Sequence, residues 1–380
     1  MKIKIPYGRQ YIDADDVQGV VEVLRSDWLT TGPKVERLEH VFSNFVGSKY
    51  SVAVSNGTAA LHCAMAAIGI GSGDEVIIPA ITFVATANSV VFQGGTPVFA
   101  DVENDTLLID VKDVEKKITP RTKAIIAVDY AGQPADYSRL QALASQYKLP
   151  IIADACHAIG GSYKGKPVGA LADLSTFSFH PVKNITTGEG GMITTNNQNF
   201  AKRMYLFRNH GITTDFRQRE KQGSWHYEMA EIGYNYRLSD FQCALGISQL
   251  KKLPGWVRDR QKIASHYDKS FSNIPGVIPI ISKKDINHAY HLYVIKIDPN
   301  FMSVDRDSLF TQLRNKGIGV NVHYMPVHYH PFYVKKYNTT PGMCPVAESA
   351  YKQILSLPIY PDMSVQDQDF VIKSILDCFE

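Results

Sequence analysis

The 380-residue chain has no Cys-x-x-Cys pair, no long apolar run and no marked excess of charge of either sign. Each absence removes a class of protein. Its five cysteines, Cys63, Cys156, Cys243, Cys344 and Cys378, are odd in number and far apart, which excludes a disulfide framework and a thiolate metal site. They read as reduced thiols, and no metal is expected. No stretch of about 18 apolar residues occurs, so no membrane partner is expected; with no targeting segment either, a cytoplasmic protein is. The 40 basic residues nearly balance 37 acidic ones, a formal +3. Lys116-Lys117, Lys251-Lys252, Lys283-Lys284 and Lys335-Lys336 are scattered pairs that suit solvated faces, so no nucleic-acid partner is expected. Two phosphate-binding fingerprints are missing as well. No Gly-Lys-Ser/Thr follows Gly57-Thr58, which rules out a Walker loop, and the run Gly69-Ile70-Gly71-Ser72-Gly73 follows a helical pattern where a Rossmann fingerprint needs a strand. A nicotinamide dehydrogenase then has only its general α/β pattern in its favour.

What is present is an ordinary globular composition, 44% hydrophobic with 27 Gly and 19 Pro, in a chain long enough for two or three domains of about 100–200 residues. Short apolar runs at 51–54, 75–78, 97–100, 124–128, 149–153, 174–179 and 192–195 alternate with helical patterns at 58–68, 83–93, 111–117 and 138–147. That alternation predicts an α/β fold with a seven-stranded sheet sandwiched by helices. Helices are expected at 200–209, 239–250 and 256–273, the second opened by the capping box Ser239-Asp240-Phe241-Gln242. Strands at 289–297 and 319–322 with helices at 304–316 and 346–354 predict a smaller C-terminal α/β domain. Pro254-Gly255 suggests the boundary, giving a large domain with an N-terminal arm over 1–253 and a small one over 254–380.

Three segments could carry chemistry. In 175–180, period-two alternation puts Phe177 and Phe179 on one face and Thr176, Ser178 and His180 on the other, and Pro181 ends the strand. Lys183 follows in the loop, ahead of the glycine-rich run Thr187-Gly188-Glu189-Gly190-Gly191. The apolar run Leu149-Pro150-Ile151-Ile152-Ala153 ends in Asp154, with His157 three residues on; a carboxylate at the carboxyl end of a buried parallel strand lies where α/β sheets bind ligands. Ser55-Asn56-Gly57-Thr58 leads a strand into a helix whose N-terminus offers unpaired N–H groups to an anion. Read singly, Lys183 can be a surface lysine, Asp154 a turn cap and His157 structural. Read together, a phosphate cradle, an acid at a strand end and a loop lysine are what pyridoxal phosphate requires.

The segments Asp154-x-x-His157, Ser178-Phe179-His180-Pro181-Val182-Lys183, Thr187-Gly188-Glu189-Gly190-Gly191, Gly233-Tyr234-Asn235-Tyr236-Arg237-Leu238-Ser239 and His323-Tyr324-x-Pro326-x-His328 resemble, in order along nearly the whole chain, the DegT/DnrJ/EryC1/StrS sugar aminotransferases. The resemblance implies the type I aspartate-aminotransferase fold, with a large mixed seven-stranded sheet, and pyridoxal 5'-phosphate as cofactor. It implies that Lys183 binds the cofactor covalently and moves the proton; relatives that dehydrate sugars have a histidine there. Asp154 is implied for the pyridinium nitrogen, His157 and Phe83 for the ring, and Gly57, Thr58, Ser178 and a partner subunit's Asn235 for the phosphate. That last contact implies a homodimer with shared active sites. L-Glutamate is the implied donor and a UDP-linked 4-keto-6-deoxy-N-acetylhexosamine the acceptor, with Tyr7, Thr30, Glu189, Arg237, Tyr324 and His328 as candidate substrate contacts. Val128-Asp129-Tyr130-Ala131-Gly132-Gln133 and the run 322–327 favour the L-configured sugar over the D-configured one. A non-catalytic relative kept for regulation or assembly is the alternative of another class.

Overall fold

The computed structural model describes residues 3–378 other than 215–218, 220, 222, 299, 302 and 303. Seven strands form one sheet: β1 (Tyr50–Val54), β2 (Glu75–Pro79), β3 (Thr96–Ala100), β4 (Thr122–Val128), β5 (Ile151–Asp154), β6 (Leu174–Ser178) and β7 (Gly191–Thr195). Their order is β1-β7-β6-β5-β4-β2-β3, with β7 antiparallel to both neighbours and the other pairs parallel. All seven expected strands are therefore present, and the sheet is mixed. Its strands are apolar on both faces because helices cover both. One face packs in a cluster holding Val52, Val76, Ile126 and Ile152, the other in a cluster holding Ala53, Ile77, Ile125 and Phe177. Phe177 and Phe179 do lie on one face, each against Phe42, at ring distances of 5.1 and 5.8 Å. Thr176 on the opposite face is also buried, while His180 beyond the strand is exposed.

The chain's beginning supplies α1 (Ala14–Leu24), capped by Asp13, and α2 (Pro33–Val46), whose first turn is capped from far away: buried Asp240 accepts from the Gly32 and Lys34 N–H groups at 2.7 and 2.9 Å. α3 (Gly57–Ile68) follows β1 directly, with Asn56 as its cap. α4 (Val84–Phe92) follows β2.

The two helices expected on either side of Pro254 are one helix, Asp240–Phe271. Proline removes one helical hydrogen bond, yet Pro254 sits on the exposed side of a continuous helix. The buried neighbours Leu253 and Val257 hold the helix against the sheet through the same turns. Its start is as expected: Gln242 Oε1 accepts from the Ser239 N–H at 3.2 Å. The boundary expected at 253/254 falls inside this helix, which gives Leu250, Leu253 and Val257 to the sheet core and Ile263, Ala264, Tyr267 and Phe271 to a C-terminal core.

That second core packs on a three-stranded antiparallel sheet, β8 (Val277–Pro279), β9 (Tyr293–Ile297) and β10 (Ile354–Leu357), with β9 central. The helix expected over 346–354 stops at Tyr351, and its last residue opens β10. The strand expected at 319–322 is only two isolated bridges, Ile5 to Ile318 and Asn321 to Ser356. Gly319 lies so close to the N-terminal arm that a Cβ would sit 2.9 Å from the Tyr7 nitrogen; the arm takes the place a neighbouring strand would need.

Candidate active site

β4, β5 and β6 run parallel and end side by side, with Val128 paired to Asp154 and Asp154 to Thr176. Their carboxyl ends form the crevice where such sheets bind ligands. Asp154 is buried there. Its Oδ2 accepts from the Thr86 hydroxyl at 2.7 Å, and Thr86 is in turn bonded to the Thr82 hydroxyl at 2.7 Å. Oδ1 also accepts from the Cys156 N–H at 3.3 Å, so Asp154 caps this turn as well as lying at the crevice.

Lys183 sits partly buried in the loop after β6. Burial pushes its pKa down, opposed by the nearby Cys156 and Asp154. Around it stand three imidazoles. His157, His291 and His323 all have pKa values lowered, first by burial and then by the positive charge of Lys183. His157 packs 4.5 Å from His291 and shares a hydrogen bond of 3.0 Å between Nε2 and the Tyr324 hydroxyl, while its Nδ1 is buried without a partner. Tyr7 lies 5.4 Å from the His323 ring, and the Tyr130 hydroxyl donates to the His323 carbonyl. Phe83 is 56% exposed, so it is not a core side chain, and its ring lies 6.0 Å from Tyr324.

The start of α3 closes one end of the crevice. With Asn56 bonded to the Ala59 N–H at 2.8 Å, the Gly57 and Thr58 N–H groups have no acceptor among the described residues. A Cβ on Gly57 would stand 2.9 Å from Ser178 Cβ and 3.4 Å from Cys156 Sγ, so only glycine lets this turn approach Ser178. Free amides, a dipole end and a hydroxyl in one place suit a phosphate. The buried carboxylate suits a protonated ring nitrogen, and Phe83 and His157, with its free Nδ1, suit a flat polar ring. The residues present therefore fit pyridoxal phosphate.

The structure thus brings together Lys183, Asp154, His157, Ser178, Gly57, Thr58, Phe83, Tyr324 and Tyr7. Other expected contacts lie elsewhere. Arg237, bonded to Asn209 at 2.7 Å, lines a separate cleft of about 940 Å³ with Thr31 and Arg208. Thr30 is exposed and bridged to Ser239, and Glu189 is exposed with its carbonyl bonded to Gln242. Asn235 is exposed beside Asn209. His328 requires a correction: it is 0% exposed, packed on Phe99 and bonded through Nε2 to Glu348 at 3.0 Å, and its Nδ1 is buried without a partner, so the side chain is enclosed and does not face an open crevice. Sequence reading missed Thr82, Thr86 and His291. Nothing in the local pattern flags them, because Thr86 and His291 act on partners far along the chain, Asp154 and His157, and Thr82 acts through Thr86.

A type I aminotransferase sheet with a lysine, a strand-end acid and an anion cradle at its carboxyl edge defines a pyridoxal phosphate-dependent transaminase. The chain belongs to the DegT/DnrJ/EryC1/StrS aminotransferase family, whose model matches residues 10–376. It is 42% identical over 375 residues to the spore coat polysaccharide biosynthesis protein SpsC of Bacillus subtilis, covering 98% of this chain and 96% of that one. Among solved structures, Helicobacter pylori PseC, an aminotransferase involved in the biosynthesis of pseudoaminic acid, superposes with a TM-score of 0.92 at 35% identity, covering 99% of both chains. Spr1654 of Streptococcus pneumoniae in its PMP-form gives a TM-score of 0.92 at 31% identity over 98% of both. The protein is a sugar aminotransferase that uses pyridoxal phosphate.

Proposed function

We propose that the enzyme moves the amino group of L-glutamate to C4 of a UDP-linked 4-keto-6-deoxy-N-acetylhexosamine, giving UDP-4-amino-4,6-dideoxy-N-acetyl-β-L-altrosamine for pseudaminic acid. The observation that carries the chemistry is the meeting of half-buried Lys183 and buried Asp154 at the edge of the α3 cradle. The sugar is supported by the likeness to PseC and by the runs 128–133 and 322–327.

In this reading Gly57, Thr58 and Ser178 hold the phosphate, Asp154 the ring nitrogen, and Phe83 and His157 the ring. The cofactor, when bound, supplies an electron sink for the carbon that loses a proton. Lys183 binds it and shuttles that proton. Its lowered pKa suits the work, because an amine nearer neutrality can both take and return a proton at working pH. Neutral imidazoles around it leave the Nζ the one group there that readily gains charge. Tyr324 and Tyr7 line the sugar side. Asn235, Arg237, Thr30 and Glu189 belong to the site of the other subunit of a homodimer, and the enzyme works in the cytoplasm. The experiment is incubation with glutamate and each of the two UDP-4-ketosugars, L- and D-configured, followed by product stereochemistry. Turnover of the D-configured compound alone would overturn the assignment of the sugar and leave the transamination standing.

A further inference from the structure

Arg260 is among the largest fully buried side chains, at 1% exposure in the middle of the helix Asp240–Phe271, and no carboxylate pairs with it among the described residues. Burying an unneutralised cation is expensive, so its retention calls for a reason. Its Nη1 donates to the carbonyl of Tyr290 at 3.2 Å and to that of Ile359 at 2.9 Å, and its Nε is buried without a partner. Both carbonyls belong to segments that deliver site residues. Tyr290 precedes His291, which packs on His157. The Ile359 N–H donates to the Tyr7 carbonyl at 3.0 Å.

The 288–292 segment is also seated tightly from its other side. Leu292 and Ala289 bond the Ala131 and Gly132 carbonyls at 3.1 and 2.9 Å, and a Cβ at Gly132 would stand 2.8 Å from the Tyr290 nitrogen. Asn184, next to Lys183, donates to the Ala289 carbonyl at 3.0 Å. We propose that Arg260 is a positioning residue of the active site, a buried cation that pins the His291 and Tyr7 segments to one helix and lends its uncompensated charge to the imidazole side of the Lys183 pocket. Burial first, and then the positive charge of Lys183 with a smaller contribution from Arg260, pushes the His291 pKa down. The groups facing Lys183 are Asp154, Cys156, His157, His291 and His323.

The proposal rests on Lys183 as the cofactor lysine, which Lys183→Ala tests by itself through loss of covalently bound cofactor. The experiment on Arg260 follows the absorbance of bound pyridoxal phosphate against pH in holoenzyme, with melting and the cofactor dissociation constant measured alongside. Arg260→Gln keeps N–H donors without the charge; Arg260→Lys keeps the charge on a shorter stem. The expected result is a titration midpoint raised by about half a unit in Arg260→Gln, a kcat at least about fivefold lower with little change in KM for glutamate, and a midpoint near wild type in Arg260→Lys. Wild-type midpoints and kcat in both folded variants would overturn it. So would a midpoint that moves equally in both, since the charge would then play no part. If Arg260→Gln does not fold, the Lys variant decides: a shifted midpoint in a folded Arg260→Lys holoenzyme overturns the proposal.

Discussion

Thr86 donates to Asp154 from the first turn of the helix after β2, and a carboxylate oxygen that accepts a short bond in a buried site is fixed in direction as well as in charge. Removing only that hydroxyl leaves a buried charged oxygen short of a partner, a loss of about 1–3 kcal/mol. Thr86→Val should weaken pyridoxal phosphate binding and lower kcat/KM by roughly tenfold or more, with a melting temperature close to wild type; unchanged cofactor affinity by fluorescence titration would count against the assignment of Asp154. Asp129 presents the opposite case. It is fully buried, accepts from the Ala135 N–H at 2.9 Å and the Tyr137 hydroxyl at 2.8 Å through Oδ1, and has Oδ2 unpartnered. Burial pushes its pKa up to about 7, above an unfolded value near 3.8. The folded protein therefore holds this proton more tightly, and the stability Asp129 contributes is full below pH of about 4 and is lost as pH rises through about 7. Asparagine imitates the protonated acid and cannot titrate. Asp129→Asn should gain stability relative to wild type between pH 5 and pH 8, on the order of a few kcal/mol, read from urea midpoints at the two pH values; a constant difference would contradict the buried acid. Neither residue announced its role in sequence. A threonine in a helix and an aspartate after a strand are common, and only the fold sets them against Asp154 and Tyr137.

At the scale of elements, the strands and the cradle were legible because each rests on local pattern: an apolar run, then a glycine, then a helix with a cap. The helix Asp240–Phe271 was not, because Pro254 and Gly255 are strong local breakers and the burial of Leu253 and Val257 that overrides them is a tertiary fact. The stretch 319–322 failed for a similar reason, as its partner is the N-terminal arm more than 300 residues away. His328 had a motif and no visible burial; Glu348 and Phe99, which enclose it, come from other elements. The turn into α3 allows a direct test. Gly57 needs no unusual φ, so alanine there costs little in backbone strain, yet its methyl group would press on Ser178 at 2.9 Å. The helix start or the serine must shift. Gly57→Ala should therefore raise the dissociation constant for pyridoxal phosphate by about tenfold or more, the worth of one disturbed phosphate contact of roughly 1.5–3 kcal/mol, while far-UV circular dichroism stays unchanged. Cofactor affinity equal to wild type would show that the phosphate does not sit at this helix end.

In the whole molecule, the expected site residues fall into two groups that one chain does not join: Lys183 with Asp154 and the α3 cradle, and Arg237, on the 940 Å³ cleft it lines with Thr31 and Asn209, with Asn235 bridged to Asn209. Near the second group the surface is apolar. Phe92, Ile232 and Tyr234 are exposed and line a second hollow together, and Trp225 and Met229 are exposed on the same stretch of chain as Ile232. A soluble chain rarely leaves so many large apolar groups open unless something covers them, and a two-fold pairing of identical chains would bring each chain's second group to the other's first. Such a dimer makes a quantitative demand. Lys183→Ala destroys the first group and Asn235→Ala the second, so each homodimer is inactive or nearly so. Mixed after unfolding and refolding together in equal amounts, the chains should form about half heterodimers, each with one site built from two intact groups, so that about a quarter of all sites recover. Transamination measured on the refolded mixture should therefore return to roughly a quarter of the wild-type rate per chain, while a mixture of two variants within the first group, Lys183→Ala and Asp154→Ala, should not recover, because every site in it lacks one member of that group. No recovery in the first mixture despite dimers by light scattering would mean that each chain completes its own site, and equal recovery in both would overturn the division into two groups.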